Sequence, residues 1–348
     1  SARETIAKIL NCSPYKIIFT SGGTESNNLA IFGTARHAYR QAGANKDKGK
    51  HLITTQIEHS SVLESFKKLE KEGFEVTYLK VDSKGFVNPA DFMSAIRPDT
   101  IMASIMYANN EIGTIEPIKE LTKICHDNRD KKIIFHTDAC QAAGFETLNV
   151  EELNVDLLTI NASKIYGPKG AGALYIRKGI KIEPIIYGGG HENGLRGGTH
   201  NIPGIVGLAK ALELTQSEQK KENARLIELR DMLINEILSK IKNSKLNGPN
   251  PLTPAHASTR LPNNINISIQ GIESQNLLLQ LDEAGIYIST GAACGARSTK
   301  PSHVLQAIGI SQELIDATIR VTIGKQTTKN DINYFLDTLS QITKKLLS

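Results

Sequence analysis

Through the first part of the chain, short apolar runs alternate with longer stretches whose apolar positions recur every three or four residues. The runs at residues 16–19, 51–54, 75–79, 100–105, 133–137, 155–160 and 171–176 predict strands, and the stretches at 25–38, 60–71, 89–96 and 117–125 predict helices. Strands joined by crossover helices predict an α/β domain, a mostly parallel central sheet with helices on both faces, because the right-handed crossover fixes where each helix packs. A long helical region opens at 203–214 and runs to residue 240, with the polar segment 216–221 a candidate interruption within it. Beyond a loop rich in Pro, Asn and Gly at 247–264, strands at 264–269, 285–289 and 318–323 and helices at 274–282, 302–308 and 329–347 predict a smaller α+β domain. The expected division is a large α/β domain over 13–222 and a small C-terminal domain over 223–348, with 1–12 the remnant of an N-terminal region.

Composition narrows the class. Of 348 residues, 40% are hydrophobic and 22% charged, with 28 glycines and 12 prolines, which excludes disordered, collagenous and low-complexity chains. The net charge of +5 comes from interspersed acids and bases, so the basic stretches 178–181 and 240–245 read as solvated surface. Aromatic residues are 5% and Trp is absent, so no stacking platform for nucleic acid is expected. The four cysteines, at 12, 125, 140 and 294, have neither the paired spacing of a zinc site nor the density of a disulfide scaffold, and no metal is expected. A reducing compartment suits them. The first ten residues lack the apolar core of a signal peptide, and no run of 18 apolar residues follows, so a cytoplasmic protein without membrane contact is expected.

Ligand sites of parallel α/β domains gather beyond the carboxyl ends of the strands, and the polar clusters of this chain fall there. After the first strand, SGGTESNN (21–28) bends at two glycines and offers amides at a helix start, which suits a phosphate or serves as an ordinary strand-to-helix turn. The next strands lead into EHS (58–60), NNEIG (109–113) and HTDACQ (136–141), and the sixth into a Gly- and Pro-punctuated turn carrying Lys164. A turn lysine, an acidic partner such as Asp138 and a glycine turn are what pyridoxal 5′-phosphate needs: a Schiff-base amine, a carboxylate for its pyridine nitrogen and a phosphate cradle. Cys294 sits among small residues, where it is either an inert thiol or a nucleophile. Arg320, on an apolar strand, needs a partner, either a structural carboxylate or that of a substrate.

SGGTESNN, EHS, NNEIG, HTDACQ, KIYGPKG, GLRGGT, STGAACGA and IRVTIG occur in the order found in the cysteine desulfurases of the class V aminotransferase group, which this sequence resembles over nearly its whole length. The resemblance implies the fold type I of pyridoxal-phosphate-dependent transferases and conversion of L-cysteine to L-alanine. It implies that Lys164 is the Schiff-base lysine, Asp138 the partner of the pyridine nitrogen and His59 the histidine stacked on the ring. Gln141 and Asn110 would supply hydrogen bonds near the cofactor, and Gly23 and Thr24 would contact its phosphate. Thr199 would contact that phosphate across a homodimer interface. Asn110 and Arg320 would hold the substrate, and Cys294 would carry the persulfide. The loop from Cys294 to His303 has the length of the long-loop branch, which hands sulfur to an iron–sulfur scaffold or a tRNA-modifying partner.

The chain departs from the family pattern at three places. Ser163 stands where the family commonly has a histidine, and Asn161 where it has a serine; both replacements still hydrogen-bond and are expected to line the cofactor. His191 and Asn193 replace the usual glutamine and arginine. The sequence opens downstream of the family's Asn-, Ala- and Thr-rich segment, which lines the substrate site. Two other readings accompany desulfuration: a related pyridoxal-phosphate lyase or aminotransferase in which Cys294 is incidental, and a catalytically impaired homologue acting as an interaction protein.

Overall fold

The structure, a computed structural model, describes residues 1–42, 49–127, 133–290 and 301–347. Its larger sheet comprises β1 (Ile17–Thr20), β2 (His51–Thr55), β3 (Glu75–Leu79), β4 (Thr100–Ser104), β5 (Ile134–Asp138), β6 (Leu157–Asn161) and β7 (Gly172–Ile176), in the order β1-β7-β6-β5-β4-β2-β3. The pairings from β3 through β6 are parallel. β7 runs antiparallel to both β6 and β1, because the turn joining β6 to β7 carries no crossover helix. β1, β2 and β4 are buried at every position, as expected of strands covered on both faces, whereas edge strand β3 is mostly exposed or half-buried. Leu29, Ala30 and Ile31 of helix Gly23–Ala42 and Val62 and Phe66 of helix Ser60–Lys71 join Ile18, Leu52, Met102 and Leu174 in one core. Each of the larger side chains, Leu, Ile, Val, Phe or Met, contributes roughly 1.5–3 kcal/mol when fully buried.

The smaller sheet is antiparallel throughout and comprises β8 (Ser244–Leu246), β9 (Asn264–Ile269), β10 (Ser289–Thr290) and β11 (Thr318–Thr322), in the order β10-β11-β9-β8. The described chain divides into two compact units. One comprises Ser1–Lys80, Val87–Ala108 and Glu116–Gln219, and the other Val81–Phe86, Asn109–Ile115 and Lys220–Ser348.

Three sequence expectations are corrected. Residues 216–221 do not interrupt the long helix, which runs unbroken from Ile202 to Lys240. Gln216 and Gln219, the polar residues that suggested a break, donate to the carbonyls of Ala143 and Glu146 from within the helix. The strand expected at 285–289 shrinks to Ser289–Thr290, because Gly285 adopts φ +75° and closes the preceding helix. There the Ile286 amide returns to the Leu281 carbonyl and the Gly285 amide to that of Asp282. Strand β6 begins at Leu157 rather than 155. Strand β8 and the short helix Gln312–Asp316 had no apolar run long enough to announce them.

Candidate active site

The sheet registers place the candidate residues of the larger unit. Gly172 pairs with Thr20 on one side and with Asn161 on the other, so the carboxyl ends of β1 and β6 flank the start of β7. A Cβ on Gly172 would stand 2.7 Å from the Gly22 Cα, so the chain leaving β1 crosses directly over this glycine. That path brings Gly23 against Cys140 and Asn161: a Cβ on Gly23 would meet Cys140 Sγ at 2.8 Å and Asn161 Nδ2 at 3.4 Å. Helix Gly23–Ala42 starts at this point, with Thr24 exposed in its first turn. Glu25 fixes the turn by accepting from the Ser21 amide at 2.8 Å and from Arg196 Nε at 3.0 Å. Arg196 thereby holds the segment that carries the exposed Thr199 to the same helix start.

Asp138 ends β5 and is buried. Its Oδ2 accepts from Asn27 Nδ2 at 2.7 Å and its Oδ1 from the Cys140 amide at 2.9 Å. Asn27 also donates to Ser61 Oγ at 2.9 Å, and that hydroxyl lies 2.8 Å from His59 Nδ1. His59 caps helix Ser60–Lys71 by accepting from the Ser61 amide at 3.1 Å. Burial and the adjoining Asp138 push the Cys140 thiol well above the ordinary range, and the charge of Lys164 pulls it the other way. Cys140 in this setting is a packed, protonated thiol.

Lys164 and Ser163 are exposed on the turn that follows Asn161. The Ile165 and Gly167 amides both return to the Ala162 carbonyl and hold that turn tight. A Cβ on Gly167 would stand 2.9 Å from Ala162 Cβ. Asn161 Oδ1 is buried and has no hydrogen-bond partner among the described residues. Gln141 is half-buried, one residue past Cys140.

Asn110 and Arg320 fall in the smaller unit. Arg320 Nη1 donates to the Asn110 carbonyl at 3.0 Å. Burial raises the adjacent Glu111 carboxyl, while a hydrogen bond from Ser302 and the charges of His303 and Arg320 oppose that shift. Arg320 thus contributes to the electrostatic setting of Glu111. Cys294 lies outside the described residues.

Sequence reasoning gave no role to Asn27, Ser61 or Glu192. Asn27 stands one helical turn beyond Gly23 and so shares its face, a spacing that points it toward the same end of the sheet. Glu192 lies between the two divergent positions and accepts from Arg3 at 2.6 Å, the Phe19 amide at 2.8 Å and His200 at 2.6 Å. Although burial pushes its carboxyl up, the hydrogen bonds from Arg3 and Phe19 leave it below the ordinary range. His191 packs edge-on against His200, with ring centroids 5.1 Å apart, and Asn193 is exposed in a left-handed conformation at φ +57°. These two divergent residues therefore border a structural cluster.

The donor set fits pyridoxal 5′-phosphate. An exposed lysine amine, a buried carboxylate held at two corners, an orphaned amide oxygen on Asn161 and a helix start too crowded for any side chain at Gly23 lie within one unit. Among the described residues there is no group of three or more His, Cys, Asp or Glu placed to hold a metal ion, and no helix is long and apolar enough to cross a membrane.

The aminotransferase class-V family matches residues 1–335. The cysteine desulfurase IscS of Dictyoglomus turgidum is 54% identical over 345 residues, covering 99% of this chain and 83% of the relative. A solved structure described as a NifS-like protein superposes with a TM-score of 0.88 at 36% identity, covering 99% of this chain and 87% of that one. SspA in complex with cysteine superposes with a TM-score of 0.76 at 37% identity, covering 92% of this chain and 85% of that one.

Proposed function

The chain belongs to the class-V aminotransferase family, in its cysteine desulfurase branch, and from that premise we propose how its own residues carry out the reaction. L-cysteine is converted to L-alanine, and the sulfur is taken up as a persulfide. Pyridoxal 5′-phosphate, when bound, supplies an electron sink for bond cleavage at the substrate carbons.

Lys164 would hold the cofactor aldehyde through its amine and would serve as the base that takes the α-proton of the substrate. Asp138 would pair with the pyridine nitrogen of the cofactor, and His59 would lie against its ring. Gly23 and Thr24 offer the phosphate the amides of a helix start, joined by the partner's Thr199 in a homodimer. Gln141, Asn161 and Ser163 would complete the polar lining around the cofactor, and Asn110 would hydrogen-bond to cofactor and substrate. Arg320 holds the substrate carboxylate. The Cys294 thiolate attacks the substrate sulfur, so an S–S bond forms as the C–S bond breaks, and its electron pair returns to carbon. Protonation of that carbon, with return of the α-proton from Lys164, gives alanine. The persulfide then passes to an acceptor protein, an iron–sulfur scaffold or a tRNA-modifying partner.

The observation that carries this reading is the gathering of Asp138, Gly23 and Asn161 at neighbouring strand ends, with the Lys164 amine exposed on the next turn. Adding pyridoxal 5′-phosphate to the protein is expected to give a visible absorbance band that borohydride bleaches as it links the cofactor permanently to Lys164. L-cysteine is then expected to yield alanine and a protein persulfide in equal amounts. Lys164→Ala should lose the fixed label, and Cys294→Ser should lose the persulfide. Full turnover of L-cysteine by Cys294→Ser would favour a lyase and overturn the proposal.

A further inference from the structure

Asn27 is 1% exposed, yet its amide is only half satisfied. The two hydrogens of Nδ2 go to Asp138 Oδ2 at 2.7 Å and Ser61 Oγ at 2.9 Å, while Oδ1 is buried with no hydrogen-bond partner among the described residues. A carboxylate only accepts, so turning the amide over would set one oxygen against another and free no partner for the nitrogen. The orientation of the amide is therefore fixed from its nitrogen side, by the carboxylate and the serine hydroxyl together.

The other end of the chain of hydrogen bonds is equally constrained. Ser61 Oγ receives a hydrogen from Asn27 and directs its own at His59 Nδ1, 2.8 Å away. The Ser61 amide donates to the same nitrogen at 3.1 Å. A ring nitrogen that accepts twice carries no proton, so the neutral imidazole holds its hydrogen at Nε2.

We infer that Asn27 and Ser61 are positioning residues that couple Asp138 to His59, one amide group orienting the carboxylate and, through the serine hydroxyl, holding the imidazole in its Nε2-protonated tautomer. The inference rests on the functional reading for what Asp138 and His59 act upon; the hydrogen-bond chain itself belongs to the protein alone. Two groups that would meet the same ring system are thereby kept in one fixed relation by a residue that touches neither substrate nor cofactor.

The first measurement uses apoprotein labelled with ¹⁵N-histidine, which separates this inference from any failure of cofactor binding. Wild-type His59 should show an unprotonated Nδ1 and a protonated Nε2. Asn27→Asp keeps the shape but replaces the shared donor with a second carboxylate beside Asp138, and it should move both His59 nitrogen resonances although Asn27 does not touch the ring. In the loaded enzyme, Asn27→Asp and Ser61→Ala should lower kcat by about 10- to 100-fold, the scale of a hydrogen bond to a charged group lost in the transition state, with KM for L-cysteine little changed. Ser61→Thr, which keeps the hydroxyl, should restore most of the rate. A protonated Nδ1 in the wild type would overturn the inference, as would His59 resonances unmoved in a folded Asn27→Asp protein.

Discussion

At the scale of single residues, Gly23 and His136 show two ways in which the site depends on what lies beneath it. Gly23 has no unusual backbone angle; it is glycine because Cys140 Sγ occupies the space a Cβ would take, at 2.8 Å. Gly23→Ala is therefore expected to destabilise the fold by about 1–3 kcal/mol, the usual cost of overpacking, and to weaken pyridoxal 5′-phosphate binding. Cys140→Ala in the same chain should recover most of both losses, and a double-mutant cycle read by urea unfolding and cofactor titration would show non-additivity if the two atoms collide. His136 lies two residues before Asp138 and is fully buried, with Nδ1 bonded to Ser104 at 2.8 Å and Nε2 to Thr159 at 3.0 Å, so it joins β4, β5 and β6. Burial pushes its pKa down to about 4 from 6.5. Between those values the unfolded chain binds a proton that the folded chain refuses. Stability is therefore complete above about pH 6.5 and lost as the pH falls toward 4, by up to about 3 kcal/mol. Urea unfolding across that range should show the decline in the wild type and a flatter profile in His136→Gln, which cannot titrate.

At the scale of elements, the sequence was most legible where side chains and caps agreed. Helix Ser60–Lys71 and strand Glu75–Leu79 fall where the apolar pattern placed them, since a His59 cap opens the one and Gly73, at φ +93°, separates it from the other. Legibility failed where a polar residue had a distant use, as with Gln216 and Gln219, whose partners lie 73 residues earlier. The site followed the same rule. Its motifs stood out as glycine and polar clusters at strand ends, but the contact of Asn27 with Asp138 spans 111 positions and had no local signature. The misplaced strand at 285–289 came from treating Gly285 as part of an extended run, when its positive φ ends helix Ser274–Glu283. A Cβ there would meet nothing within 4 Å, so the cost of Gly285→Ala is purely one of backbone conformation. A loss of about 1 kcal/mol is expected, with Gly285→Asn closer to wild type because asparagine tolerates the left-handed region. Chemical denaturation of the three proteins checks the ranking.

At the scale of the whole molecule, the proposed function would make the site complete only as a dimer, and mixed dimers test that arrangement. Thr199 is exposed, and its segment is tied through Arg196 to Glu25 at the start of the helix that bears Gly23 in the same chain. If Thr199 serves the partner's phosphate, each site takes its lysine from one subunit and this threonine from the other. A chain with Lys164→Ala has no working site of its own but still presents an intact Thr199. A chain with Thr199→Ala keeps its lysine but deprives its partner of the threonine, and its homodimer should bind pyridoxal 5′-phosphate about tenfold or more weakly, on the scale of one lost hydrogen bond to a charged group. Unfolding and refolding the two variants together should produce mixed dimers. In these, the site with the intact lysine receives the intact threonine from the Lys164→Ala chain. At a cofactor concentration too low to load the Thr199→Ala homodimer, the mixture should turn over L-cysteine while neither parent does. If Thr199 instead acts within its own chain, the mixed dimer has one site without lysine and one without threonine, and mixing restores nothing.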